Sequence, residues 1–144
     1  MPPLTAFHGA HFFLSNFSAA PVVLDGQTYP TVEHAFQAAK TFDPAERQAI
    51  QAAPTPASAK RLGRQVALRP DWEPVKFDLM LRLLQQKFSQ PDLRQALLAT
   101  GDAELIEGNT WGDRVWGCVR VRGQWVGQNQ LGKLLMRVRA SKIS

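Results

Sequence analysis

Proline-bearing breaks cut the middle of this chain into short lengths: Asp43-Pro44, Pro54-Thr55-Pro56, Arg69-Pro70-Asp71-Trp72 and Gln90-Pro91-Asp92. A proline lacks the amide hydrogen that a helix interior needs and its ring clashes with the preceding turn, so a helix begins at such a residue but does not run through it. The segments between the breaks therefore read as separate helices. Asp43 suits an N-cap with Pro44 at the first helical position, leading into residues 45–52, and Thr55 or Ser58 caps a short helix over residues 57–63. Residues 73–89 carry Val75, Leu79, Leu83 and Phe88, with Met80 and Leu84 alongside, at helical spacing, which predicts the longest helix. Residues 93–100 follow with Leu93, Ala96 and Leu97 facing inward, closed by Gly101. A last amphipathic helix spans residues 129–140 with Leu131, Leu134, Leu135 and Val138 on its apolar face.

The remaining segments read as strands. Residues 1–28 look extended, with short strands at residues 4–7 and 21–24, and the turn dipeptide Asp25-Gly26 brings Gln27-Thr28-Tyr29 back antiparallel to Val22-Val23-Leu24. Residues 104–107 and 115–121 are strand-like, and the second leads through a turn at Gly123 to Trp125. The expected fold class is α+β: a compact, mainly helical single domain over residues 1–144 with short antiparallel strands.

Tyr29-Pro30-Thr31-Val32-Glu33-His34-Ala35-Phe36-Gln37-Ala38-Ala39-Lys40 carries the most chemistry. Thr31 suits an N-cap and the helix starts near Val32. At about 100° per residue, Val32, Ala35, Phe36 and Ala39 form an apolar stripe, while Glu33, Gln37 and Lys40 align on another face. Spacing alone favours a solvated surface for that polar face. The segment His11-Phe12-Phe13-Leu14-Ser15-Asn16-Phe17 favours a cleft instead, since it is too aromatic for a free surface yet inserts Ser15 and Asn16 among apolar residues.

Composition narrows the function classes. Cys118 is the single cysteine, so neither an intrachain disulfide nor a cysteine-based zinc site can form. His8, His11 and His34 are scattered without metal-ligand spacing, and no nucleophile elbow, Walker loop or dinucleotide-binding glycine motif is present. No bound metal and no cofactor are expected. No apolar run reaches the roughly 18 residues of a membrane span, and no signal peptide is recognisable, so the expectation is a cytoplasmic protein without membrane partners. The net charge of +5 is unevenly placed: no acidic residue follows Asp113, whereas Arg114, Arg120, Arg122, Lys133, Arg137, Arg139 and Lys142 all do. Such a basic quarter attracts phosphate, in a small molecule or a nucleic acid backbone.

Asn109-Thr110-Trp111-Gly112-Asp113-Arg114-Val115-Trp116-Gly117 concentrates two tryptophans and a carboxylate. Flat rings there can stack on a heterocyclic base while Asp113 reads its edge, although each tryptophan taken singly is better explained by packing. With Phe13-Leu14-Ser15-Asn16-Phe17, the Tyr29–Lys40 stretch, Lys87-Phe88, Leu97-Leu98-Ala99-Thr100-Gly101 and Gly127-Gln128-Asn129-Gln130-Leu131-Gly132-Lys133-Leu134-Leu135-Met136, this segment resembles, in order, the NADAR (NAD and ADP-ribose associated) family, also called YbiA-like. Val32 stands where a small hydroxyl residue is common in that pattern, and residues 51–58 are unusually rich in alanine and proline.

The resemblance implies a compact, mainly helical α+β domain with N-glycosidase activity. Its substrate would be ADP-ribosylated guanine in nucleic acid, as in DNA repair or toxin–antitoxin pairs, or a phosphoribosylaminopyrimidine intermediate of riboflavin biosynthesis. In both, an exocyclic amine is bonded to C1 of a ribose bearing a 5′-phosphate group. Glu33 is the expected acid and base, with Lys87 as the first and Lys40 as the second choice for a Schiff-base nucleophile. Asn16, Ser15, Phe17, Gln37, Trp72, Trp111, Asp113, Trp116 and Asn129 are the expected substrate-binding residues, and the arginines after Asp113 the expected phosphate clamp. A monomer is the expected state. Two other readings compete: a module that binds ADP-ribose or ADP-ribosylated nucleic acid without turnover, and a basic nucleic-acid-binding protein with little need for Glu33 or Asp113.

Overall fold

The structure is a computed structural model and describes residues 1–142. Seven helical elements and two antiparallel hairpins make an α+β fold, divided between two compact units. No helix among the described residues is long and apolar enough to cross a membrane.

Asn16–Lys87 form one unit. Strands β1 (Val22–Leu24) and β2 (Gln27–Tyr29) pair antiparallel with Val23 opposite Thr28. Asp25 and Gly26 both take positive φ, +48° and +81°, which matches the twist a two-residue hairpin requires. Helix α1 (Val32–Ala38) follows at once. Thr31 caps it as expected, its hydroxyl accepting from the His34 amide at 3.0 Å, and the Asn16 carbonyl takes the Glu33 amide at 3.1 Å. Those two acceptors satisfy amides that the first turn cannot pair internally.

Helices α2 (Pro44–Gln51) and α3 (Pro56–Gly63) begin at their prolines, capped by Asp43 and by a Thr55–Ser58 capping box. Helix α4 (Trp72–Lys87) is the longest. α1 lies at the centre, packed on α2, α3, α4 and the hairpin, so every one of its residues is buried. Gly63 permits the close approach of α3: a Cβ there would run into the Gln37 carboxamide.

Met1–Ser15 and the chain from Phe88 onward form the other unit. The expectation that residues 1–28 are extended holds for the β1–β2 hairpin strands but not for the stretch before residue 15. Gly9–Leu14 is a 3-10 helix, and Leu4 makes a lone parallel bridge to Leu105. Gly9 at φ +59° starts that helix and Leu14 is its buried residue, an arrangement that leaves no alternating pattern to read. Helix α5 (Pro91–Ala99) ends where Gly101 takes φ +66°.

Strand β3 is only Val119–Val121, pairing with β4 (Gln124–Val126), rather than the whole of residues 115–121. Arg114, Val115, Trp116 and Gly117 point their carbonyls at the amides of Gln128, Gln130, Leu131 and Asn129, so this stretch caps the following segment instead of extending the sheet. Helix α6 (Gln130–Ser141) buries Leu131, Leu134, Leu135 and Val138.

Candidate active site

The polar face of α1 is not a solvated surface. Glu33 is 8% and Gln37 4% exposed, and the Gln37 amide donates to Glu33 Oε2 at 3.1 Å. Burial raises the Glu33 pKa above its ordinary 4.5, opposed by the Gln37 hydrogen bond and by the charges of Lys60, Lys40 and His34. A carboxyl held this way keeps its proton to higher pH and can donate it. His34, next in sequence, points elsewhere: Nδ1 meets the Thr31 hydroxyl at 2.8 Å and Nε2 meets the Ala53 carbonyl at 3.0 Å. With a neutral ring, Nε2–H donates to the carbonyl and Nδ1 accepts from the hydroxyl, so His34 is a structural tie.

Lys87 is fully buried at the end of α4. An exposed, dipole-favoured lysine is the ordinary expectation for a helix end, but Lys87 follows Leu83 by four residues and Met80 by seven, on the buried stripe. Its ammonium donates to the buried Ser18 Oγ at 2.8 Å. Desolvation lowers its pKa from 10.5 to about 7, so near neutrality about half of it is a free amine.

The segment from Asn16 to Ser18 joins the two groups. Asn16 gives its carbonyl to the Glu33 amide and its side-chain amide to Met80 Sδ at 3.6 Å, while Ser18 receives Lys87. Asn16 Oδ1 is buried without a donor, an arrangement that costs stability until a ligand N–H or O–H is supplied. Ser18 is the residue that sequence reasoning missed. Its signal was weak: a serine two positions after Asn16 in an aromatic segment.

Lys40 is half-buried, and its pKa is lowered by desolvation and by the charges of Arg64, Lys60 and Lys76, with Glu33 opposing. Phe17 is half-buried in the same unit. Trp72 is 6% exposed and packs its ring on Phe36, centroids 5.0 Å apart, so packing is the role its geometry displays. A surface cleft of about 370 Å³ lies apart from these groups, lined by Gln27, Tyr29, Phe42, Pro44, Arg47, Gln48 and Gln51.

The other unit holds the rest of the expected residues. Ser15 closes the 3-10 helix, its amide donating to the Phe12 carbonyl at 2.9 Å. Trp111 is 63% exposed and Trp116 half-buried on one loop. Asp113 organises that loop: its Oδ1 accepts the amides of Val115 and Trp116 at 3.0 and 2.9 Å, and Asn109 brackets its backbone. Asn129 takes the Glu107 amide on Oδ1 and gives Nδ2 to the Leu105 carbonyl, which occupies both ends of its side chain in holding the fold. Arg139, expected in a phosphate clamp, is buried and donates to Thr100 Oγ1 at 2.9 Å. Arg120 lies over the Trp125 ring at 5.3 Å.

The chain matches the NADAR domain over residues 4–141. It belongs to the NADAR family. This NADAR chain is 44% identical over 128 residues to the N-glycosidase YbiA of Escherichia coli K12, covering 87% of this chain and 78% of that protein. It is 41% identical over 131 residues to the N-glycosidase Npun_R5314 of Nostoc punctiforme, covering 87% and 81%. A riboflavin biosynthesis protein of Vibrio vulnificus, VVA0006, is 36% identical over 132 residues, which span 90% of this NADAR chain and 35% of that protein. The NMR structure of E. coli YbiA superposes with a TM-score of 0.81 at 40% identity, covering 98% of this chain and 86% of that one.

Proposed function

We propose that this protein is an N-glycosidase that hydrolyses the bond between ribose C1 and an exocyclic amine of an amino-oxopyrimidine or guanine ring. The observation that carries the reading is the pair of buried, oppositely perturbed groups on one unit: Glu33 held towards its protonated form and Lys87 with a pKa of about 7. A carboxyl that keeps its proton to higher pH can donate it, and an amine with a lowered pKa can attack as a nucleophile. The names of the E. coli and Nostoc relatives point the same way.

In the proposed reaction Glu33 gives its proton to the departing ring amine as the C1–N bond breaks. The free amine of Lys87 attacks C1 and, with the ribose ring open, forms a Schiff base. Water then adds to C1 with the Glu33 carboxylate as base, and expulsion of Lys87 releases the sugar phosphate. Asn16 Oδ1, which has no donor, would accept a substrate N–H or O–H, and Gln37 would keep the Glu33 carboxyl in place.

Two substrates share this bond. The riboflavin name of the Vibrio relative favours the phosphoribosylaminopyrimidine. The ADP-ribosylated guanine rests on the same base and ribose chemistry. Incubation with each, following ribose 5-phosphate or ADP-ribose by mass spectrometry, separates them. Loss of release in both Glu33→Gln and Lys87→Ala is the expected result. Release undiminished in both variants would overturn the mechanism, and tight ADP-ribose binding without cleavage of either substrate would leave a binding module.

A further inference from the structure

We infer that Lys40, at the end of α1, and Lys60 and Arg64 on α3 form a subsite for the 5′-phosphate of the ribose, in place of the C-terminal arginines. The inference rests on the glycosidase reading for the sugar, and on the packing of two helices for the anion. Gly63 lets α3 lie against the Gln37 side chain. Lys60 sits one turn before that contact and Arg64 directly after it, while Lys40 lies one turn beyond Gln37. The close approach thus carries three cations to the end of the Glu33–Gln37–Lys40 face.

Their electrostatic influence on one another agrees with that convergence. Glu33 feels the positive charge of both Lys60 and Lys40, and Lys40 is destabilised in its charged form by Arg64, Lys60 and Lys76. Lys76 has its own partner, Glu73, at 2.6 Å. Among the described residues neither Lys40 nor Arg64 has a carboxylate within ion-pair distance. The one carboxyl acting on Lys40 is Glu33, which burial pushes towards neutrality. Like charges gathered beside the half-buried Lys40 repel, and a phosphate dianion relieves the repulsion while accepting several charge-assisted hydrogen bonds.

Lys40 lies two residues past Ala38, the last residue of α1, and its charge acts on Glu33, which places C1 of the ribose at the carboxyl and its 5′-phosphate at the lysine in this inference. Of the C-terminal basic residues, Arg139 is buried and donates to Thr100, and Arg120 lies over Trp125.

The test is titration calorimetry of the whole protein with ribose 5-phosphate and, separately, ribose, on wild type, Lys60→Ala, Arg64→Ala, the double variant, and Arg120→Ala with Arg137→Ala as the comparison. The expected result is ribose 5-phosphate binding weakened about tenfold by each of Lys60→Ala and Arg64→Ala, unchanged by the C-terminal changes, with thermal midpoints near wild type. Lys60→Arg should restore affinity. Unchanged affinity in the double variant, or a loss only in the C-terminal variants, overturns the inference. Phosphate-dependent binding without cleavage of either N-glycoside supports the subsite while defeating the glycosidase reading. Cleavage that treats phosphorylated and dephosphorylated substrates alike defeats the subsite while leaving that reading standing.

Discussion

At the scale of single residues, Lys87 is where stability and chemistry oppose each other. A lysine wholly inside the protein, its ammonium donating to Ser18 Oγ, is costly in its charged form. That cost brings its pKa to about 7 and makes an amine nucleophile available near neutrality. Lys87→Met, which keeps the length of the side chain and removes the charge, should raise stability by roughly 2–4 kcal/mol at pH 6, read by urea unfolding. The same variant should lose N-glycoside turnover. A variant that is less stable at pH 6 would show that the ammonium is better compensated than its burial implies.

At the scale of elements, α1 depends on its cap and on its closest neighbour. Thr31→Val removes the hydroxyl that accepts the His34 amide and meets the His34 ring, leaving a buried imidazole nitrogen unpaired. A loss of about 2 kcal/mol is expected, seen as a lower denaturant midpoint, with the substrate KM little changed in the folded fraction. Gly63→Ala acts on the other side. Its methyl group meets the Gln37 carboxamide, so Gln37 must swing off Glu33 or α3 must shift. The expected outcome is a loss of about 1–3 kcal/mol with kcat down about tenfold, and a kcat equal to wild type would show that Gln37 does not position the acid.

At the scale of the whole molecule the two perturbed groups leave opposite marks on the stability curve. Glu33 has a folded pKa above its ordinary 4.5: the unfolded chain loses this proton first, so the favourable contribution present below 4.5 is lost as pH rises through the folded value. Lys87 has a folded pKa of about 7 against 10.5: between those values the unfolded chain holds the extra proton, so stability from this group rises with pH. Glu33→Gln should therefore raise the thermal midpoint more at pH 8 than at pH 4. The gain from Lys87→Met should shrink between pH 7 and pH 10. Turnover should rise through about pH 7 as Lys87 loses its proton. A profile flat from pH 5 to pH 9 would show that Lys87 does not titrate in the rate-limiting step.

The local rules of the chain were enough for its helices and turns. Prolines 44, 56 and 91 begin helices, Thr31 and Asp43 cap them, and Asp25-Gly26 closes a hairpin, because each depends on a residue's own torsions and hydrogen-bonding groups within a few positions. Helical spacing put Glu33, Gln37 and Lys40 on one face, but by itself it favoured a solvated surface, and Glu33 became a candidate acid through the family resemblance. What local spacing could not provide was depth. Whether that face meets water depends on α2, α3 and α4 closing over α1, and whether Lys87 is a surface cation or a buried amine depends on the side of α4 that the core takes. The same holds for Ser18 beside Lys87, Gln37 against Gly63, and Asn129 between Glu107 and Leu105. Sequence by itself determined which groups were present and how they are spaced along each helix. Tertiary packing alone decided which of them lost their water, and desolvation is what raises the pKa of a carboxyl and brings that of an ammonium down to about 7.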